Sequence, residues 1–339
     1  MILCCGEALI DMVKGRVPGK GECFIPCPGG SPYNTAIAIG RLGAPVCFCG
    51  KLSTDFFGDM LVNRLAQNHV STDLITRSDG HSTLAFVNIT ADSEPEYVFY
   101  TEGAADRSLS IQDIPFKLPS EIRCILFGSI SMTMEPIASA VEALVSREKG
   151  RGDSAPVISF DPNVRPFMVK DKNTYIRRLE TWLASSTIVK ISVADLGFIY
   201  PDLEPEKALQ KILALGPRLV IVTRGAEGAA ALLRREDGSL IRAKAPVVDL
   251  PVVDTIGAGD TFHGAFLSWL ELKGKMSCSA LVSLSEQDLY AALYFANKAA
   301  SLVCSKQGAE PPSMAEVNAV HLPSRPGAVP NCLARERGL

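Results

Sequence analysis

The sequence predicts an α/β protein, with a mainly parallel sheet covered by helices on both faces and a small β layer beside it. Three observations predict it. Short apolar runs alternate with longer amphipathic stretches along most of the chain. The later runs are each followed by a polar or glycine-containing turn. One strand pair, between residues 82 and 106, stands outside that alternation. Strands that are apolar throughout belong to sheets buried on both faces, as in a parallel sheet between helix layers.

The elements follow in order. Ile2–Cys5 is a short apolar run. Pro32–Leu42 sets Ile37, Ile39 and Leu42 on a small-residue background and reads as a helix ended by Gly43. Pro45–Cys49 is a strand, and Phe56–Gln67 an amphipathic helix carrying Phe57, Met60, Leu61 and Leu65. Leu84–Ile89 and Tyr97–Tyr100 alternate around Asp92-Ser93-Glu94-Pro95, which reads as a hairpin. Cys124–Phe127 is a buried strand and Pro136–Arg147 a helix. Val157–Phe160, Ile188–Ile191 and Leu219–Val222 are short β-branched-rich strands, with helices around Thr174–Leu183 and Pro205–Leu215 between them. Ala258–Leu272 and Gln287–Cys304 are the last long helices. From His321 onward the chain mixes Pro, Gly and Arg, so 321–339 reads as a loose tail. In a sheet of this kind ligands sit beyond the carboxyl ends of the strands. That draws attention to Asp11, Asp161-Pro162-Asn163, Ser192, Asp195 and Thr223-Arg224-Gly225.

Composition narrows the function classes. The chain has 339 residues, 47% hydrophobic and 21% charged. That length allows roughly two domains, or one large domain with an appendage. The 34 basic and 37 acidic residues nearly balance, and no basic block interrupts them. A nucleic-acid or membrane-surface footprint is therefore not expected. No apolar stretch of about 18 residues is present to span a membrane. The ten cysteines have neither the spacing nor the histidine partners of a zinc site, there being four histidines. They read as reduced thiols of a cytoplasmic protein that pack as small hydrophobes.

The segment richest in chemistry is Asp254-Thr255-Ile256-Gly257-Ala258-Gly259-Asp260-Thr261-Phe262. Its small residues let the backbone approach a ligand closely, and the following helix start presents free N–H groups to an anion. A carboxylate inside such a site would repel a phosphate that was merely bound. It makes sense where a base must take a proton beside a phosphoryl group in transfer. The plainer reading, a loop followed by an ordinary first-turn carboxylate, accounts for the spacing equally well. A dinucleotide loop fits less well, because Phe262 stands where a third glycine belongs. A second constellation joins Asp11 to Pro28-Gly29-Gly30-Ser31-Pro32-Tyr33-Asn34. A carboxylate and an amide there suit sugar hydroxyls. A turn and a helix-start residue explain the same pattern.

Taken together, these segments resemble the ribokinase-type (phosphofructokinase-B-type) carbohydrate kinases, in their fructokinase-like branch. Residues 254–267 resemble the C-terminal signature of that family throughout, and Gly29–Ala36 the N-terminal one. Gly6–Asp11, Asp161–Arg165, Lys190–Asp195, Thr223–Gly228 and Ala296–Ala300 resemble further family segments in the expected order. The likeness runs over residues 1–320 and implies a ribokinase-like three-layer fold with a β lid from about 12–28 and 82–106. It implies an ATP-dependent sugar kinase, with fructose as the favoured substrate. Asp260 would be the general base, with Gly257, Ala258 and Gly259 donating N–H groups to the transferred group. Asp11, Gly29, Gly30, Asn34, Phe99 and Arg165 would hold the sugar. Lys190, Ser192, Asp195, Thr223, Gly225, Gly228 and Asn297 would serve ATP. Asp195 would reach Mg²⁺ through water, and Asp254 with the Ile256 carbonyl would take K⁺ or another monovalent cation. A homodimer through the lid is a further expectation.

Four residues depart from the family pattern. Ser53 replaces a glycine in a turn, and Ser192 and Asp195 replace an Asn and a Glu. Thr101 stands where relatives that use acid sugars carry an arginine, which favours a neutral sugar. Alternatives are a 2-keto-3-deoxygluconate kinase, another sugar or nucleoside kinase, and a non-catalytic sensor. The intact 257–260 set argues against the last.

Overall fold

The structure, a computed structural model, describes residues 1–17, 19, 21–88 and 96–320. The expected tail at 321–339 and the 92–95 turn lie outside the described residues. In chain order the elements are β1 (Ile2–Cys5), β2 (Leu9–Val17), β3 (Gly21–Gly29), α1 (Ser31–Arg41), β4 (Val46–Ser53), α2 (Phe56–Gln67), β5 (Val70–Ser78), β6 (Leu84–Asn88) and β7 (Glu96–Tyr100). They continue with β8 (Cys124–Gly128), α3 (Ile137–Lys149), β9 (Val157–Asp161), α4 (Lys172–Ser185), β10 (Ile188–Ser192), α5 (Val193–Ile199), α6 (Pro205–Leu215), β11 (Leu219–Thr223), β12 (Ala229–Arg234) and β13 (Leu240–Ala245). The last are α7 (Ala258–Leu272), α8 (Cys278–Val282), α9 (Glu286–Cys304) and α10 (Met314–Ala319).

The main sheet runs β13-β12-β11-β10-β9-β8-β1-β4-β5. It is parallel from β11 to β5, and only β12 and β13 pair antiparallel. The strand alternation of period two sorts side chains onto two cores. Ile2 and Cys4 join Ile37 of α1, Phe262 of α7 and Leu289 of α9. Leu3, Cys5, Cys47 and Cys49 join Val141 of α3, Leu179 of α4 and Leu209 of α6 on the opposite face. All nine described cysteines are free, and five of them are buried within β1, β4 and β8. Helix ends are held locally. Asp55 accepts from Gly58 N at 2.7 Å before α2, and Ser285 and Asp288 form a reciprocal cap on α9.

A separate sheet of order β3-β2-β6-β7 stands beside the large one. β2 and β3 form one antiparallel hairpin, β6 and β7 pair antiparallel, and β2 joins β6 in parallel. Register fixes its two faces. Leu9, Asp11, Val13, Ile25, Cys27 and Phe99 share one; Met12, Phe24, Leu84, Phe86 and Tyr100 share the other. The second face is aromatic, with Phe86 edge-on to Phe24 at 5.1 Å and to Tyr100 at 5.6 Å. Phe24 is 49% and Tyr100 58% exposed, although both are large and apolar.

α7 matters most for placing chemistry. Phe262, Ala265, Phe266, Leu267 and Leu270 are buried along it, each large one contributing about 1.5–3 kcal/mol. A helix seated this firmly holds its first turn still.

Candidate active site

The first turn of α7 opens on Gly257, whose φ of 74° is left-handed and suits glycine. A Cβ there would also lie 2.8 Å from the Cβ of Ala309. Gly257 and Gly259 line a cavity of about 880 Å³ between the large sheet and the first face of the small one. Ala258 begins α7, and its N–H donates to the Thr255 carbonyl at 3.2 Å.

Asp260 lies in the same cavity wall and is buried. Its carboxylate accepts from Ser31 Oγ at 2.6 Å and from Asn34 Nδ2 at 3.0 Å. Both donors come from the first turn of α1, 226 or more residues away in sequence. Burial raises the Asp260 carboxyl above its ordinary range, with these two donors working against the rise. A buried carboxylate with a raised pKa and fixed orientation is suited to accept a proton.

Asp11 faces this group across the cavity from β2. Gly29, its neighbour on β3, makes room for it: a Cβ there would stand 2.1 Å from Asp11 Oδ2. Burial first, then the charge of Asp260, push Asp11 up to about 7, while Arg165 pulls the other way. Gly30, Asn34, Phe99 and Arg165 also line the cavity. Arg165 is held by Asn163, donating to its Oδ1 at 2.7 Å. Asn163 and Ser129, two of the three described non-glycine residues with positive φ, line the same cavity. Unfavourable backbone of this kind gathers at functional sites.

Of the remaining expected residues, Asp254 and Ile256 line the same cavity, and Lys190, Ser192, Asp195, Thr223, Gly225, Gly228 and Asn297 lie outside its wall. Ser192 and Asp195 cap α5 reciprocally: Ser192 N and Oγ donate to Asp195 Oδ2, and Asp195 N donates to Ser192 Oγ. Asp195 Oδ1 accepts from Val164 N at 2.8 Å. Three donors leave this carboxylate about one lone pair, so its main duty is to tie α5 to the 161–165 loop. Thr223 ends β11, and Gly225 and Gly228 shape the turn after it. A Cβ on Gly228 would lie 2.2 Å from the Ala245 carbonyl. Asn297 donates to that same carbonyl at 2.8 Å and to Pro246 O at 3.0 Å. Gly228 and Asn297 thus converge on one stretch of backbone, rather than Asn297 facing open space. Asp254 accepts from Ile256 N at 3.0 Å and Gly308 N at 2.9 Å, one bond to each oxygen. It also lines the cavity with Ile256, and each of its oxygens keeps a lone pair.

Ser31, Glu7 and Lys190 lie in or beside segments that the sequence singles out, but their partners are distant in the chain and carry no local signal. Glu7 is buried behind the glycines, accepting from Ser31 N at 3.2 Å and from the Ser131 hydroxyl. Lys190 Nζ is buried under Gly259, 3.0 Å from the position of a Cβ there, and donates to Asp161 Oδ2 at 2.8 Å. Burial opposes the Lys190 charge, and Asp161 outweighs burial to raise its pKa.

An anion-binding helix start, a buried carboxylate beside it and a second carboxylate across one cavity define an enzyme that moves a phosphoryl group to a hydroxyl. The profile of the pfkB family carbohydrate kinases matches residues 1–316. The chain belongs to that family and is an ATP-dependent carbohydrate kinase. A fructokinase of Rhizobium leguminosarum bv. trifolii is 36% identical over 289 residues, 85% of each chain. Fructokinase-1 of Zea mays is 32% identical over 94% of this chain and 96% of its own. Among solved structures, a fructokinase with bound ATP from Xylella fastidiosa has a TM-score of 0.83 at 30% identity, covering 94% of this chain and 96% of that one.

Proposed function

We propose that the chain is a fructokinase, passing the γ-phosphoryl group of ATP to a hydroxyl of fructose. The orientation of Asp260 carries this reading: a buried carboxylate, aimed by Ser31 and Asn34, beside the amides of Gly257 and Gly259. Asp260 takes the hydroxyl proton as the new O–P bond forms. The bond from the γ-phosphorus to its bridging oxygen breaks, and ADP leaves. The glycine N–H groups and the Lys190 charge meet the negative charge on the transferred group. Asp11, the backbone at Gly29 and Gly30, Asn34, Phe99 and Arg165 hold the sugar. ATP lies toward Thr223, Gly225, Gly228 and Asn297, where the open space around Gly225 leaves its backbone accessible. The ATP-bound fructokinase from Xylella fastidiosa supports its use.

Mg²⁺ fits the chemistry of this site. Among the described residues no group of three or more His, Cys, Asp or Glu side chains is placed to hold a metal. A cation that keeps its waters and sits on phosphates needs none. Asp195 would hold such a water with its remaining lone pair, and bound Mg²⁺ would neutralise phosphate charge. K⁺ or another monovalent cation would use the free lone pairs of Asp254 beside the Ile256 carbonyl. The free cysteines support a reducing, cytoplasmic setting, and no described helix is long and apolar enough to cross a membrane.

Fructose is favoured by the relatives and by Thr101, which offers no charge to an acid sugar. A coupled ADP-release screen over fructose, 2-keto-3-deoxygluconate, ribose and adenosine tests this. Fructose is expected to give the highest kcat/KM by at least about tenfold, the value of one well-made polar contact. A higher value for 2-keto-3-deoxygluconate would replace the reading.

The small sheet acts as a lid, its first face shutting water from the sugar. Its second face suits a second copy of this chain. Phe24, Phe86 and Tyr100 stand there beside Phe56, which is 72% exposed, a contiguous apolar surface of a kind that soluble monomers avoid. Sedimentation should show a dimer, and a Phe24→Asp, Tyr100→Asp pair should show a monomer. A monomeric wild type at micromolar concentration removes the dimer.

A further inference from the structure

We propose that His263 is a positioning residue for phosphoryl transfer: it orients the Asp161 carboxylate that locks the Lys190 ammonium beneath Gly259. The inference rests on assigning Asp260 and the glycine amides of α7 to the transfer step.

His263 sits one turn after Asp260 on α7 and is 1% exposed. Its Nε2 lies 2.7 Å from Oγ of Ser159, which is wholly buried in β9. Its Nδ1 has no hydrogen-bond partner among the described residues and faces Asp161 Oδ2 at 3.8 Å. Burial pushes the imidazole pKa down, so the ring is neutral and carries one proton. Placing that proton on Nε2 would set a bare Nδ1 lone pair against a carboxylate. Placing it on Nδ1 turns an N–H dipole toward Asp161 and lets the Ser159 hydroxyl donate to Nε2. The second tautomer is the favoured one. At 3.8 Å the contact is longer than a hydrogen bond, and it acts as a dipole facing a charge.

Asp161 has a demanding post. Burial alone would raise its carboxyl, yet the Lys190 ammonium and His263 hold it down to about 2. Oδ1 accepts from Asn163 N at 3.2 Å and Oδ2 from Lys190 at 2.8 Å. Lys190 in turn lies at the positive end of the α7 dipole, where a cation is disfavoured. Without Asp161 it would be an uncompensated buried charge. An ammonium held in that place adds to the field of the glycine amides on the cavity side. That arrangement serves an anion whose charge grows in the transition state.

The test contrasts two amides. In His263→Asn the side-chain NH₂ falls near Nδ1 and keeps a donor toward Asp161. In His263→Gln the amide reaches the Nε2 position and that donor is lost. The expected result is a kcat about tenfold lower for Gln, with both KM values within about twofold, and a loss of no more than about threefold for Asn. Adding His263→Gln to Lys190→Met should lower kcat no further, because the two act through one carboxylate. Equal losses in Asn and Gln, a loss confined to KM, or a lowered Tm with kcat intact would each overturn the proposal. Asp260→Asn run alongside separates the two levels: if it keeps wild-type turnover, the transfer-site assignment fails instead. If Lys190→Met does not fold, the Asn–Gln contrast still decides.

Discussion

Asp260→Asn is expected to lower kcat by roughly 10³-fold, near the middle of the range for a general base. At 1.36 kcal/mol per decade that is about 4 kcal/mol of transition-state stabilisation. Asparagine is nearly isosteric, and its Oδ1 can still accept from Ser31 or Asn34, so the first turn of α7 should keep its shape. The fold should also persist, because α7 is held by Phe262, Phe266 and Leu270 rather than by this carboxylate. Removing a buried carboxylate whose pKa is raised also relieves a desolvation cost. The apo variant should therefore melt no lower than wild type. ATP binding by calorimetry should change little, since no proton moves in the ground state. Turnover within tenfold of wild type would take Asp260 out of the mechanism.

Asp11→Ala and Gly29→Ala are expected to damage the same step by different routes. Hydrogen bonds from hydroxyls to a carboxylate contribute about 1.5–3 kcal/mol each. Loss of Asp11 should raise the sugar KM by roughly 10²-fold and leave the ATP KM within about twofold. Gly29→Ala keeps the carboxylate but places a Cβ 2.1 Å from its Oδ2, so Asp11 must swing away. Its sugar KM should rise comparably without loss of fold, as the Gly29 backbone is ordinary strand. The pH dependence has a definite sign. With the empty-site carboxyl near 7, a falling pH protonates Asp11 and removes an acceptor. Sugar KM should rise as pH drops below about 7 and level off above it, and Asp11→Asn should flatten this dependence. Equal changes in the sugar and ATP KM values would move Asp11 off the sugar side.

Much of this architecture was legible because of where its strands lie. β1, β8, β9, β10 and β11 are buried on both faces, so they read as short, mainly apolar runs, interrupted only by Ser159 in β9 and Lys190 in β10 before their polar ends. α7 was legible from its glycines, which the left-handed Gly257 and the close approach to Lys190 require. β5 was not, because it sits at the sheet edge and carries Ser71, Thr72, Asp73 and Arg77. β12 was hidden by its run of alanines, a residue with little strand preference. The strands of the β2–β3 hairpin have no clear signature in the sequence, since both faces of the hairpin are mixed. At the site, Asp260, Asp11 and Gly257 announced themselves through motifs. The bond from the Ala258 amide to the Thr255 carbonyl has no signal in the sequence, which cannot say which amide a turn engages. Asp161, Lys190 and His263 meet from β9, β10 and α7, and no local pattern announces contacts so far apart in the chain.

The bond from Ser31 to Asp260 has a consequence for how such an enzyme can diverge. The first turn of α1 carries Asn34, which lines the cavity and is proposed to hold the sugar, and through Ser31 and Asn34 it also orients Asp260, the proposed base. A mutation there that reshaped the sugar contacts would misdirect the base as well, so this wall is closed to gradual change. The opposite wall is built from another element: Val13, Ile25 and Phe99 line the cavity from the small sheet, whereas Ser31 and Asn34, which donate to Asp260, belong to α1. A lineage seeking a new acceptor can therefore vary the sheet while inheriting the catalytic floor unchanged.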